Sequence, residues 1–350
     1  MSAPWSRHLV GVLVLFGATL LATGCGSAPM PLPQGIEVAE DFELEFVFGG
    51  LERPSQIAMT SDGDFIAAEV VEENGGIGRI VRIDREEPDG RVVLQSGLDK
   101  PTGIAVVGEQ LWIMERDRLS VTSLEPDAEL DVVAADLPNN GRSEGTLTVT
   151  PDGALLYNTS GRKRGAVRTE GSGAIFRVED PSAGTASPMT TVATGFKHAY
   201  AHAFTPDGSL WSVEMTDGTF DGNRASDKLV RIEPGSDGGW PFCIDDNVPV
   251  IEFGGTTELC AESPRSHALF GPGATPTGLV VAPWDASVFL VTLWIPGTVV
   301  SVPVEAGANA HPGTIVISGI ESPQSLLVDG DRVLVVDHET GDVYALTAAP

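Results

Sequence analysis

The chain has 350 residues, with 49 Asp and Glu against 21 Lys and Arg, for a formal net charge of −28. That excess of acid excludes a nucleic-acid partner, which needs a basic footprint. The length after an N-terminal export segment is enough for one large β domain or two smaller ones.

The first element is an apolar run from Leu9 to Ala22, preceded by a short polar start carrying Arg7. It is shorter than the roughly 20 residues a membrane-spanning helix needs, so residues 1–24 read as a signal peptide. Its end, "LATGC", resembles the lipobox of bacterial lipoproteins. That resemblance implies a lipidated Cys25 and an exported protein held on a membrane of the cell envelope, periplasmic or at the outer surface. "GSAPMPLPQG" then reads as a Pro-rich tether, giving a tether segment over 25–41 and a folded domain over 42–350. Besides Cys25 there are only Cys243 and Cys260. In an exported chain this pair is most simply a disulfide, with a metal thiolate pair as the other reading.

From residue 54 onward one unit recurs: an apolar strand, a turn, and a second strand ending in a polar residue. The copies are "PSQIAMTSDGDFIAAE", "PTGIAVVGEQLWIME", "GTLTVTPDGALLYNT", "YAHAFTPDGSLWSVE", "PTGLVVAPWDASVFLVT" and "PQSLLVDGDRVLVVD", starting at 54, 101, 145, 200, 276 and 323. Further strands such as "GRIVRID", "GAIFRVE", "KLVRIE" and "GDVYALT" follow most copies. Short β-branched strands at this period predict an all-β fold, a six-bladed β-propeller of four-stranded blades. The last blade has three strands at the C-terminus. The lone N-terminal strand "FELEFVFGGL" is therefore expected to close it and hide two sheet edges.

The repeat also names candidate site residues. Its second strands end in Glu69, Glu115, Thr159, Glu214, Thr292 and Asp337. Four acids converging on a channel mouth would repel one another unless hydrated, paired with basic groups or bound to a hard cation such as Ca²⁺. Ligation to backbone amides is the alternative role for Glu69, Glu115, Glu214 and Asp337. Entry to the innermost strands adds Gln56, Lys197 and His198. His202 falls where other copies have Ile57, Ile104, Leu279 and Leu326, and reads as a hydrogen-bonded core histidine between blades. Four residues apart in a strand, His198 and His202 lie about 13 Å from each other, too far to share one metal ion.

The stretch "ATGFKHAYAHAFTPDGSLWSVEM…SDKLVRIEPGSDGGWPFC" (193–243) resembles the glucose/sorbosone dehydrogenases, six-bladed propellers that use pyrroloquinoline quinone (PQQ). The matching positions include Gly195, Ala203, Phe204, Pro206, Asp227 and the "GGWPFC" run ending at Cys243. The resemblance implies hydride transfer from a sugar or aldehyde to the quinone. That needs a general base, a cation such as Ca²⁺ on the quinone, and basic side chains for its carboxylates. Here the position of the base histidine falls on Arg142, which cannot accept a proton at neutral pH. The Arg-Asn pair of the family is Lys197-His198, an expected lysine falls near Trp294 and Ile295, and the arginines expected before the sixth copy are absent from "ESPQS". His198 is the remaining candidate base.

Three functions are compatible with these residues. One is a lipid-anchored binding module for a small sugar-like or cationic ligand at an acidic mouth, contacted by Gln56, Arg142, Lys197 and Trp294. Another is a PQQ-dependent oxidoreductase of sugars or aldehydes. The third, by analogy of fold alone, is a Ca²⁺-dependent lactonase-type hydrolase with Glu69 or Glu115, Asn158 and Asp337 around one ion.

Overall fold

A computed structural model describes residues 32–72, 77–141, 145–216, 218–305 and 312–350. The signal peptide, Cys25 and Arg142 lie outside the described residues. The strands form six four-stranded antiparallel blades, one per repeat copy. Blade 1 comprises Pro54–Met59, Phe65–Glu72, Ile77–Ile83 and Arg91–Asp99. Blade 2 spans Gly103–Val107 to Asp131–Ala134, and blade 3 Thr148–Val149 to Met189–Ala193. Blade 4 runs from Ala199–Phe204 to Ser266–Gly271, and blade 5 from Pro276–Ala282 to Thr314–Ser318.

Blade 6 contains Pro323–Asp329, Arg332–Asp337 and Val343–Ala348, and its outer strand is the N-terminal Phe42–Phe48. The register runs from Phe42 opposite Ala348 to Phe48 opposite Val343, so the ring closes as expected. One correction concerns the tether. Glu37–Val38 adds a short fifth strand to blade 5, pairing with Ser318 and Ile317. Ile36 and Val38 pack on the core between blades 5 and 6. The apolar side chains that the Pro-rich composition obscured draw this stretch onto the propeller.

The inner hairpins turn by a repeated local device. In three copies a Thr hydroxyl bonds the Asp carboxylate two residues on: Thr60 to Asp62 at 2.5 Å, Thr150 to Asp152 at 2.6 Å, Thr205 to Asp207 at 2.6 Å. The following Gly takes a positive φ (97°, 86° and 83° at Gly63, Gly153 and Gly208), which glycine adopts without strain. Blade faces bury the alternating apolar residues against each other; Ile57, Phe65 and Val81 of blade 1, for example, meet Leu334, Val336 and Val343 of blade 6. Near the axis, side chains must be small. A Cβ on Gly278 would stand 3.1 Å from both the Leu326 backbone nitrogen and its Cγ.

The segment 233–265 rises from blade 4 onto the end of the ring where the innermost strands begin. There it packs Trp240, Ile244 and Val250 around Phe220. Cys243 and Cys260 form the expected disulfide within it, 17 residues apart.

Candidate functional site

The four acids that end second strands do not gather around an ion. Each turns back onto the backbone that enters its own blade. Glu69 accepts from the Glu52 amide (2.8 Å) and from Arg79 Nε (2.5 Å). Glu115 accepts from the Asp99 amide (2.8 Å) and from Arg118. Glu214 accepts from the Lys197 amide (2.6 Å), and Lys228 Nζ makes an ion-pair contact at 3.2 Å without hydrogen-bond geometry. Asp337 accepts from the amides of Glu321, Ser322 and Glu339.

All four carboxylates are almost fully buried, and each accepts from backbone amides, three of them with a cation alongside. Among the described residues no group of three or more His, Cys, Asp or Glu could hold a metal ion. The arrangement replaces the expected cation cage with blade anchors. Asn158, proposed with them, is buried in blade 3 against Gly145.

The mouth itself is a cavity of about 320 Å³. Its floor comes from residues at the entry of five innermost strands: Ser55, Thr102, Tyr200, Thr277 and Gln324. Its walls come from the residue just past the anchoring acid, Val70, Met215 and His338, and from Trp294. Lys100, His198, Asp227 and Thr275 complete the polar lining.

His198, 5% exposed, stands edge-on to the Tyr200 ring, centroids 5.2 Å apart. Across the cavity the Trp294 ring meets His338 edge-on at 6.2 Å. His338 Nδ1 lies 3.0 Å from the Pro54 carbonyl oxygen. A carbonyl only accepts, so Nδ1 carries a proton and donates it there. Gln324 donates to the Tyr200 hydroxyl at 2.7 Å. Asp227 accepts from the amides of Thr216 and Thr275, both at 2.7 Å, and so ties blade 4 to the entry of blade 5.

Of the expected ligand contacts, His198 and Trp294 line the cavity. Gln56 and Lys197 do not, and Arg142 lies outside the described residues. The Gln56 amide braces three blades: its Nε2 donates to the Leu147 carbonyl, and its Oε1 accepts from the Ile104 and Leu147 amides. Side chains alternate along a strand, so the residue before it, Ser55, is the one that reaches the mouth. The Lys197 ammonium sits over the Trp240 ring, 5.7 Å from its centre. His338, Tyr200, Gln324, Lys100 and Asp227 were missed. For Gln324 and His338 the signal was present as register: the residue after the leading proline of a copy, and the residue after its terminal acid.

Below the Gln56 brace, a second cavity of about 440 Å³ follows the central channel and includes His202 and Ser325. His202 is buried as expected, but neither ring nitrogen has a hydrogen-bond partner. Its surroundings are mostly aliphatic, and burial pushes its pKa down to about 4.

No family model and no curated protein matches the chain. Solved structures match it over nearly its whole length. The calcium structure of a Trichoderma reesei carbohydrate-active enzyme of family AA12 has a TM-score of 0.74 and 16% identity, covering 90% of this chain and 97% of that one. The holo form of the PQQ domain of pyranose dehydrogenase from Coprinopsis cinerea has a TM-score of 0.71 and 15% identity, covering 92% and 99%. The PQQ-bound aldose sugar dehydrogenase of Streptomyces coelicolor has a TM-score of 0.67 and 18% identity, covering 92% and 100%.

The fold is that of the PQQ sugar dehydrogenases.

Their cofactor is a tricarboxylate, and this cavity does not suit it. Among the described lining residues Lys100 is the single cationic side chain, one charge against three carboxylates.

Proposed function

We propose that this protein is an envelope lipoprotein, anchored through Cys25, that binds a small neutral polyhydroxylated ligand of sugar type in the mouth cavity. The observation that carries this reading is the lining: two aromatic rings, Trp294 and Tyr200, set among hydroxyl, amide and imidazole groups. Apolar ring faces with a few placed polar groups are what a sugar presents and needs. His338, the Tyr200 hydroxyl and Gln324 supply the polar groups that fix orientation between the rings. The sugar substrates implied by the names of the structural neighbours support the ligand class. A cationic ligand loses its basis, because the acids are consumed as anchors.

The test is titration calorimetry of the soluble domain with a panel of aldoses, polyols and aldonolactones, beside Trp294→Ala and His338→Ala. Binding in the wild type that weakens at least about tenfold in both variants supports the reading, since losing a stacked ring or a buried hydrogen bond is worth that much. In parallel, dye-coupled oxidation is measured with PQQ and Ca²⁺ added. No turnover is expected, because Arg142 stands where the family places its base. PQQ-dependent turnover that disappears in His198→Ala would overturn the reading in favour of a sugar or aldehyde dehydrogenase acting through His198.

A further inference from the structure

We infer that the mouth face of the propeller rests against an anionic bilayer surface, so that the cavity opens toward the membrane. This rests on the proposed anchoring through Cys25 and adds an orientation to it. The first observation is where the chain leaves the fold. Leu32 packs on the core of blades 5 and 6. The Gly35 carbonyl lies against Gly319, whose amide donates to the Gly297 carbonyl at 3.1 Å. Gly297 belongs to the mouth-end turn of blade 5, three residues past Trp294. From Leu32 to Cys25 is 32 − 25 = 7 residues, a reach of at most about 25 Å. A lipid on Cys25 thus holds the mouth side of blade 5 near the membrane.

The second observation is apolar exposure. The three most exposed large hydrophobic side chains among the described residues are Val167 (72%), Ile251 (70%) and Ile295 (64%). All three sit on mouth-face excursions. Val167 is in the hairpin joining Leu155–Asn158 to Ile175–Val178. Ile295 follows Trp294. The Ile251 amide is held by Asp221 (2.6 Å), in the hairpin that joins Leu210–Glu214 to Asp227–Ile232.

The third observation is charge. In a chain of net charge −28, the segment from Arg162 to Arg168 holds four cations in seven residues. Arg168 is paired with Asp237, and the Lys163 ammonium lies 3.7 Å from the centre of the Phe253 ring, which joins the hairpin to the Ile251 segment. Arg162 and Arg164 are exposed beside Val167. Basic and apolar side chains together, next to an anchor, suit an anionic headgroup layer.

The experiment uses the full lipidated chain in phosphatidylcholine vesicles with and without phosphatidylglycerol, with spin-labelled lipid as quencher. Single cysteines are placed at Val167, Ile295 and Ala286 and labelled with an environment-sensitive fluorophore. Ala286 lies at one end of the Asp285–Leu293 strand of blade 5 and Ile295 just past the other, at least about 20 Å apart by strand rise. Quenching at 167 and 295 at least about threefold above that at 286, stronger with phosphatidylglycerol, is expected. Combined Arg162→Glu and Arg164→Glu should reduce quenching at 167 without altering vesicle flotation or the β circular dichroism. Equal quenching at all three sites, or greater quenching at 286, overturns the orientation while leaving the anchor intact. A wild-type chain that fails to float with vesicles, or a Cys25→Ser chain that still floats, refutes the anchor and this inference with it.

Discussion

Replacing Asp337 by alanine separates a blade anchor from a metal ligand. Oδ1 accepts from the Ser322 and Glu339 amides at 3.0 and 3.1 Å, and Oδ2 from the Glu321 amide at 3.1 Å. The side chain is 2% exposed. Hydrogen bonds to a charged acceptor contribute about 1.5–3 kcal/mol each, and bonds sharing one carboxylate do not add. Part of the loss is recovered where water can reach the exposed amides. The expected cost is therefore about 3–5 kcal/mol, the range for dismantling a buried charged network. That is a large share of the 5–15 kcal/mol typical of folded domains. It falls on blade 6, where the ring closes. The assay is urea unfolding followed by tryptophan fluorescence, with and without Ca²⁺ or EDTA. The midpoint should drop in the variant, and neither Ca²⁺ nor chelator should move the wild type. A loss below about 1 kcal/mol, or Ca²⁺ stabilisation of the wild type that Asp337→Ala abolishes, would refute the anchor role.

Removing the Cys243–Cys260 bridge with paired serines should cost about 3 kcal/mol, from the entropy of a loop of this size, measured by the same unfolding curves against the oxidised wild type. Deleting residues 26–48 removes the outer strand of blade 6 and the contact of Phe48 with Phe65, centroids 5.5 Å apart; thermal stability should fall and the exposed edge should self-associate in light scattering, and an unchanged melting curve would mean the strand does not close the ring. His202, held neutral with its pKa lowered to about 4, should make stability pH-dependent. The unfolded chain takes up a proton below about 6.5 and the folded chain does not, so this contribution is intact above 6.5 and is lost as pH falls toward 4, by about 3 kcal/mol in all. His202→Leu should flatten that part of the profile, and an identical profile would show that His202 is not buried neutral.

How far the site could be read from the sequence turns on what a repeat does and does not encode. Strand, turn and spacing recur because every blade meets the same packing problem, so six copies and one unpaired N-terminal strand were enough to imply the closed ring. The two-residue strand Glu37–Val38 escaped because its neighbours are Pro and Gly, and only the apolar Ile36 and Val38 betray its docking. Recurrence picked out Glu69, Glu115, Glu214 and Asp337 as equivalent, but their function depends on which amides lie opposite, and those come from the preceding inter-blade link. That link is the least repetitive part of the unit. Blade 5 has Thr292 in place of the acid, and its link is held otherwise: Asp227 of blade 4 reaches over to the Thr275 amide. The cavity was misjudged by a single residue. In "PSQ" the glutamine is third and its amide braces the channel; in "PQS" it is second and faces the mouth. Side chains of successive strand residues diverge, so Gln56 and Gln324 have the same chemistry and opposite roles. The same offset puts His338, one residue beyond an anchoring acid, where Val70 and Met215 stand in other blades. The mouth is therefore made chemically distinctive by polar residues at positions the fold itself leaves free to vary, which is where a ligand-binding propeller can change its specificity without disturbing a blade.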